Sequence, residues 1–402
     1  MPQTPDAYAK AIAVAQATAS AQRDFKIQHM AIENKNWYQV KSIDKLDSPS
    51  LIIFPERVNA NIQTAISMVA DVSRLRPHVK TNKSAEATQL MLDTGITKFK
   101  CATIAEAEML GMIKAPDVVL AYQPLGPKLY RFIELVKKFP STKYSCLTDN
   151  TSAAKEQADA FAANDLEIPV YVDLNVGMNR TGIIPGEAAI ELCRFVFSAK
   201  GIKLAGLHAY DGHIRNKDLA MRTKECDEAF AMIEKLKQEL LKTGISIPNI
   251  IVGGSPTFPI HARRKNVECS PGTFIYWDKG YTDLCPEQNF LTAAVLVTRI
   301  ISLPSPTRIC TDLGHKSVAA ENEIGRRVFF LNASDLTPVG QSEEHLVCET
   351  GNSHHHKTGD VLYGLPYHVC PTVALYERVY TIENGKVTGE WKNMARDRKV
   401  TI

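Results

Sequence analysis

From residue 51 onward the chain alternates between short runs of β-branched and aromatic residues and amphipathic stretches of helical period. Strand candidates fall at Arg74 to Lys80, "KFKCA", "DVVLAY", "KYSCLT", "IPVYVDLN", "KLAGLHAY", "NIIVGG" and "NVECSPG". The intervals between them hold helices such as "SAEATQLMLDTG", "GPKLYRFIELVKKF" and the long "AMRTKECDEAFAMIEKLKQELLKTG". This rhythm constrains the fold more than any other feature, because neighbouring parallel strands need a crossover of a dozen or more residues and a helix supplies it. Eight strands with crossover helices fit a (β/α)8 barrel of the α/β class. A doubly wound open sheet would show the same rhythm, but no GxGxxG turn follows an early strand.

After about residue 285 the texture changes. "LTAAVLVTRIISL", "RRVFFLNA" and "ERVYTIENGKVTGEW" read as strands and hairpins, the last with an Asn-Gly turn signal. The expected organisation is therefore a leader or N-terminal extension over residues 1–35, a barrel over 36–285 and a β-rich C-terminal domain over 286–402. The run "SLIIF" precedes the barrel strands and either joins the second domain or covers the barrel floor. Within the extension "ATASAQ" mimics a signal cleavage site, yet the segment before it is too polar for an apolar signal core, and Met30 is a conceivable start.

The 402 residues exceed the size at which a single core stops growing, in line with two domains. A formal net charge of only +3 leaves no electrostatic footprint for nucleic acid, and no apolar run is long enough to span a bilayer. The nine cysteines stand singly, with no CxxC pair, as reduced thiols of a cytoplasmic protein would.

Within the barrel reading, Lys80 ends the first strand at the face where barrel enzymes carry their chemistry. A lysine in a dry site can form an imine with an aldehyde cofactor. Taken alone, a strand-end lysine is more often a snorkelling side chain. The loops after strands seven and eight change that balance. "VGGSPTF" offers Gly253, Gly254, Ser255 and Thr257, and "SPGTF" offers Gly272 and Thr273, whose amides and hydroxyls can wrap a phosphate. A lysine facing two such loops describes a site for pyridoxal 5'-phosphate (PLP).

These motifs, with "DSPSLIIFPERVNANI", "CATIAEAEML", "VDLNVGMNRTG", "GLHAYDGH" and "PYHVC" in this order, resemble the fold-type III PLP enzymes of the alanine racemase-like barrel, and within them the D-threonine aldolase and D-serine dehydratase group. The resemblance implies that Lys80 is the Schiff-base lysine, that Tyr210 meets the pyridine nitrogen and Arg180 the phenolic oxygen, and that Ser255, Thr257, Gly272 and Thr273 hold the phosphate. It also implies a homodimer in which the second domain of one subunit closes the other's site.

"PYHVC" sets His368 and Cys370 two residues apart, on one face if the segment is extended. An isolated HxC is commonly a packed thiol beside a buried histidine, but the related lyases carry a two-ligand metal site at this motif. Imidazole plus thiolate favours Zn²⁺ over the harder Mn²⁺ or Mg²⁺. Asp211 and His213, in "HAYDGH", are candidates for the base acting on a β-hydroxyl, where relatives place a histidine directly after the tyrosine. His354, His355 and His356 read as a solvated loop.

The expected function is a PLP- and metal-dependent lyase of D-β-hydroxy amino acids: D-threonine aldolase first, D-serine dehydratase second. A racemase leaves the HxC pair unexplained, and a single-domain PLP-binding protein leaves the β-rich tail unexplained.

Overall fold

The protein is described as a computed structural model over residues 36–402, so the reading of residues 1–35 lies outside the described residues. The first strand, β1 (Ser50–Ile53), precedes the helix Pro55–Met68. Seven parallel strands follow: β2 (Lys98–Cys101), β3 (Asp117–Leu120), β4 (Lys143–Thr148), β5 (Ile168–Leu174), β6 (Ile202–Ala209), β7 (Ile250–Val252) and β8 (Glu268–Cys269). They pair in chain order, with helices between them. The helices start where the sequence offers side-chain caps: Thr103 accepts from the Glu106 N–H and Asn150 from that of Ala153.

The first barrel strand expected over Arg74–Lys80 is not a regular strand. Leu75 bridges Cys269 of β8 and His78 bridges Lys100 of β2, both in parallel sense. The reason is Pro77, which has no N–H to give. Its carbonyl still accepts from Lys100 N–H (2.8 Å), and Val79 N–H donates back to Lys100 O (2.9 Å). On the other side the Arg76 and His78 amides donate to Cys269 O and Pro271 O, both at 2.9 Å. An extended segment thus closes the seven-stranded sheet into the barrel and ends at Lys80.

Alternation along the strands sorts the barrel's residues. Phe99 and Cys101, Val118 and Leu120, Val172 and Leu174, and Leu207 and Ala209 join the large core beneath the helices. Val119, Leu147, Tyr171 and Ile251 form a small separate cluster inside the barrel. By the same parity Lys100, Asp173 and His208 point inward.

The second sheet contains β1 with β9 (Ala294–Ser305), β10 (Arg308–Thr311), β11 (Val328–Phe330), β12 (Thr337–Gln341), β13 (Leu346–Glu349), β14 (Val361–Pro366), β15 (Arg378–Glu383) and β16 (Lys386–Lys392). "SLIIF" therefore joins the second domain's sheet: β1 lies between antiparallel β9 and parallel β15. The β15–β16 hairpin turns at Asn384 and Gly385 with φ of 53° and 73°, the left-handed pair that an Asn-Gly turn favours. Both faces of this sheet are covered, since Leu51 and Ile53 face the large core while Ile52 packs with Val295, Val297 and Tyr363. Among the described residues no helix is long and apolar enough to cross a membrane, and no cysteine is in a disulfide.

At the barrel's closing seam the fully buried Arg76 guanidinium binds Asp117 Oδ1 and Glu268 Oε2, each at 2.6 Å, while Lys98 Nζ meets Glu268 Oε1 at 2.5 Å. Removing the guanidinium leaves a buried carboxylate short of its partner. Arg76→Met should therefore lower unfolding free energy by about 3–5 kcal/mol in urea titrations. A loss below about 1 kcal/mol would mean that the seam closes without this clamp.

Candidate active site

Lys80 opens onto a cavity of about 520 Å³ that is also lined by His78, Lys100, Arg180, His208 and Tyr210. The two lysines of "VKTNK" are separated by their partners. Lys83 Nζ is paired with the buried Glu106 carboxylate at 2.5 Å, whereas Lys80 Nζ has no hydrogen bond or ion pair among the described residues. Lys80 Nζ and Lys100 Nζ each lie 5.8 Å from the centre of the Tyr210 ring, and Arg180 Cζ lies 5.0 Å from it. Three basic side chains around one aromatic ring form an electropositive cradle.

Sequence reading did not single out Lys100, His208 or Asp173. His208 Nδ1 stands 2.6 Å from Asp173 Oδ1, and Nε2 stands 3.5 Å from Lys100 Nζ. Burial lowers the His208 pKa against the pull of Asp173, which leaves a neutral ring donating through Nδ1 and accepting at Nε2. Burial, together with the charge of Lys80, pushes Lys100 down to about 7. Burial and the same cations hold His78 well below its ordinary value.

The two glycine-bearing loops meet behind this cavity. Thr273 N–H donates to Ser255 Oγ at 3.2 Å, and Gln288 Nε2 holds Ser255 O at 2.9 Å. A Cβ on Gly272 would stand 3.1 Å from His78 O and 3.2 Å from Thr81 Oγ1, so this backbone packs directly on the Lys80 turn. The amides of Ser255 and Gly272 have no acceptor among the described residues. Ser255, Gly272 and Thr273 thus fit a phosphate, beside an electropositive pocket with an unpaired lysine. Thr257 is differently engaged: its hydroxyl donates to Asp211 Oδ1 at 2.8 Å and accepts from Gly254 N–H at 3.3 Å.

Asp211 and His213 are not brought to the cavity. Asp211 is buried with His261 Nε2 at 2.8 Å, and Cys226 Sγ lies 3.3 Å from that nitrogen. These three side chains could in principle surround a cation. Arg264 Nη1, however, donates to His261 Nδ1 at 3.1 Å, so Nε2 carries the proton and points it at Asp211. Burial also pushes the Cys226 thiol up to about 12. The cluster is a hydrogen-bond network that braces the Gly254 loop through Thr257. His213 is exposed at the surface, beside Gly177.

The HxC segment is not extended throughout. β14 ends at Pro366, His368 caps the helix Val369–Leu375, and Cys370 sits in its first turn. The two side chains nevertheless stay close enough to shift each other's pKa. Cys370 Sγ lies 3.1 Å from Thr81 Oγ1 and 3.8 Å from Thr273 Oγ1, so the second domain delivers its thiol to the residue after Lys80 in the same chain. Burial raises the Cys370 pKa, but His368 and Lys80 outweigh it and the net shift is downward. Burial opposes charge on His368 too, yet Cys370 and Glu321 bring it up to about 9. Glu321 Oε1 binds His368 Nδ1, the carboxylate partner by which a ligating imidazole is oriented. A soft thiolate, an imidazole and this orienting carboxylate fit a zinc-like ion.

Lys100 gives a pH prediction. Between pH 7 and 8 the unfolded chain keeps a proton on this lysine that the folded chain has lost, so stability from this group rises with pH. In cofactor-free protein, the stability of wild type relative to Lys100→Met should increase by about 1 kcal/mol over that unit. A difference that stays flat in denaturant titrations at the two pH values would contradict the depressed pKa.

Known proteins resemble this chain in sequence and fold. The family described as "Alanine racemase, N-terminal domain" matches residues 53–279, and "Putative serine dehydratase domain" matches residues 293–382. D-threonine aldolase of Arthrobacter sp is 25% identical over 88% of this chain and 93% of its own length. Among solved structures, D-threonine aldolase from Filomicrobium marinum superposes with a TM-score of 0.81 at 22% identity, covering 89% of this chain and 98% of that one. D-threo-3-hydroxyaspartate dehydratase from Delftia sp. HT23 superposes with a TM-score of 0.75 at 19% identity, covering 87% and 98%. Further structures of a dehydratase of that name are a cysteine-to-alanine variant in the metal-free form and a histidine-to-alanine variant, the two altered positions standing two residues apart. With the whole parallel sheet inside the first match, which spans more than half of the 402 residues, the chain belongs to the alanine racemase N-terminal domain family of fold-type III PLP enzymes.

Proposed function

We propose that the chain is a PLP- and divalent-metal-dependent lyase that cleaves D-β-hydroxy amino acids, with D-threonine going to glycine and acetaldehyde. The observation that carries this reading is the contact of Cys370 Sγ with Thr81 Oγ1 at 3.1 Å, which puts the HxC pair beside the Lys80 turn. A racemase needs no such pair. PLP, when bound, supplies an electron sink for whichever substrate bond at Cα stands perpendicular to its ring.

The protein's own groups divide the remaining work. Ser255, Gly272 and Thr273 hold the phosphate, Arg180 and Tyr210 flank the ring, and Lys80 Nζ provides the amine that anchors it. With the cofactor bound, Lys80 Nζ would be placed to hold a proton at one face of Cα, which would favour one enantiomer. His368 and Cys370 would hold the divalent ion, which would supply Lewis-acid chemistry there, and Glu321 orients the imidazole. Burial keeps the His208 ring neutral and Asp173 orients it through Nδ1, so that Nε2 faces Lys100 Nζ as a hydrogen-bond acceptor.

A second reading, elimination of water from D-serine to give pyruvate and ammonia, is favoured by the serine dehydratase match over residues 293–382. Both reactions use the same side chains.

The deciding experiment incubates PLP- and zinc-loaded protein separately with D-threonine, L-threonine and D-serine. We expect equal amounts of glycine and acetaldehyde from D-threonine and nothing from the L-enantiomer. Pyruvate and ammonia from D-serine, without glycine from D-threonine, would establish the second reading. Chelation, His368→Ala and Cys370→Ala should each lower kcat at least 100-fold, while borohydride still fixes the pyridoxyl group on Lys80 in peptide maps. An adduct on Lys83, or full activity without metal, would overturn these assignments.

A further inference from the structure

Lys100 has no task in the division of work above, and its place is an expensive one. It lies within β2, is 2% exposed, and points into a barrel whose interior also holds the apolar cluster of Val119, Leu147, Tyr171 and Ile251. An ammonium there needs a counter-charge. Its head reaches the Lys80 cavity, where its hydrogen-bond partner is His208 Nε2 at 3.5 Å, and no carboxylate lies within ion-pair distance of it among the described residues. The charges around it pull both ways. Lys80 at the end of the seam and Arg76 within it disfavour a proton on Lys100, while Asp173 from β5 and Asp211 beyond β6 favour one. His78 beside it is neutral, and Arg180 shares the Tyr210 ring with it. The cavity's own carboxylates are engaged elsewhere: Asp173 with His208 Nδ1 at 2.6 Å, Asp149 with Gly182 N–H at 3.1 Å. The counter-charge must come from a ligand.

A phosphate at Ser255, Gly272 and Thr273 would follow β7 and β8, whereas Lys100 belongs to β2. The other anionic atom of PLP is the phenolate oxygen, on the ring carbon next to the one that bears the aldehyde. Lys80 is the strongest charge acting on Lys100, and both amines stand 5.8 Å from the Tyr210 ring centre. Two neighbouring lysines can thus meet two neighbouring ring substituents.

We propose that Lys100 is a positioning residue for the cofactor: its ammonium, steadied by His208 Nε2 and through that ring by Asp173, pairs with the phenolate oxygen of bound PLP opposite Arg180, and a proton enters the barrel with the cofactor. The inference rests on the PLP reading and is indifferent to which lyase reaction follows. In the empty site burial and Lys80 bring Lys100 down to about 7, so most of the amine is unprotonated at about pH 8, and an anion against it reverses that balance.

The test uses protein dialysed free of cofactor and two probes, 4-deoxypyridoxine 5'-phosphate and the same molecule without its phenolic oxygen. Neither has an aldehyde, so imine formation at Lys80 stays out of the reading. Calorimetric titration at about pH 8, in two buffers of different ionisation enthalpy, gives the protons taken up per probe bound. In wild type the first probe should take up close to one proton more than the second, because a group near 7 is about nine-tenths unprotonated there. The affinity ratio of the two probes should be about tenfold larger in wild type than in Lys100→Met, the loss expected for one charge-assisted hydrogen bond. A side chain that only packs would weaken both probes alike and leave the ratio unchanged. Equal proton counts for the two probes in wild type, or an undiminished ratio in Lys100→Met, overturns the pairing while the PLP reading stands. Failure of both probes to bind wild type, with no pyridoxyl adduct on Lys80 after PLP and borohydride, overturns the PLP reading and the pairing with it.

Discussion

The closing seam of the barrel is the constraint on which the rest depends. Seven parallel strands leave two open edges, and among the described residues the five-residue stretch from Leu75 to Val79 joins them. Its proline cannot donate, so amides at Arg76 and His78 serve one edge while Pro77 O and Val79 N–H serve the other. The buried Arg76 guanidinium compensates the short ladder with charge-assisted bonds to β3 and β8. One residue after the last seam bond the chain leaves the barrel, and that residue is Lys80. The position of the reactive amine is thus a by-product of closure. A cationic head tolerates this place because it opens into a cavity rather than into the packed interior.

Much of this was legible in the sequence because period and order survive without coordinates. The alternation of strands and helices, the texture change near residue 285 and the Asn-Gly turn each follow from local preference. The irregularity of residues 74–80 was legible too, in Pro77, but the segment's place in the strand–helix rhythm outweighed it. Lys100, Asp173 and His208 were missed for a different reason. Each sits inside a strand whose neighbours on both sides are apolar, so it reads as an interruption of a buried run. Only the parity of each strand relative to the barrel axis turns three interruptions into one inward-facing group.

The second domain's contribution was partly readable. HxC spacing brings two ligand types together whether the segment is extended or, as here, enters a helix at His368. Glu321 could not be found this way, because it lies 47 positions from its partner and comes from an irregular segment. Asp211 and His213 illustrate the reverse error. Their proximity to Tyr210 in sequence suggests a shared site, yet the chain turns sharply after β6 and sends Asp211 toward His261 and Thr257.

The placement of β1 between β9 and β15 has a bearing on biosynthesis. Ser50–Ile53 is buried along its whole length and leaves the ribosome long before either partner, since β9 begins at Ala294 and β15 at Arg378. At roughly 5–20 residues per second, that delay is on the order of tens of seconds. During it an apolar, unpaired strand must be shielded by chaperone or by transient collapse. The C-terminal sheet cannot mature as a unit of its own, because its central strand is contributed from the N-terminal side of the barrel.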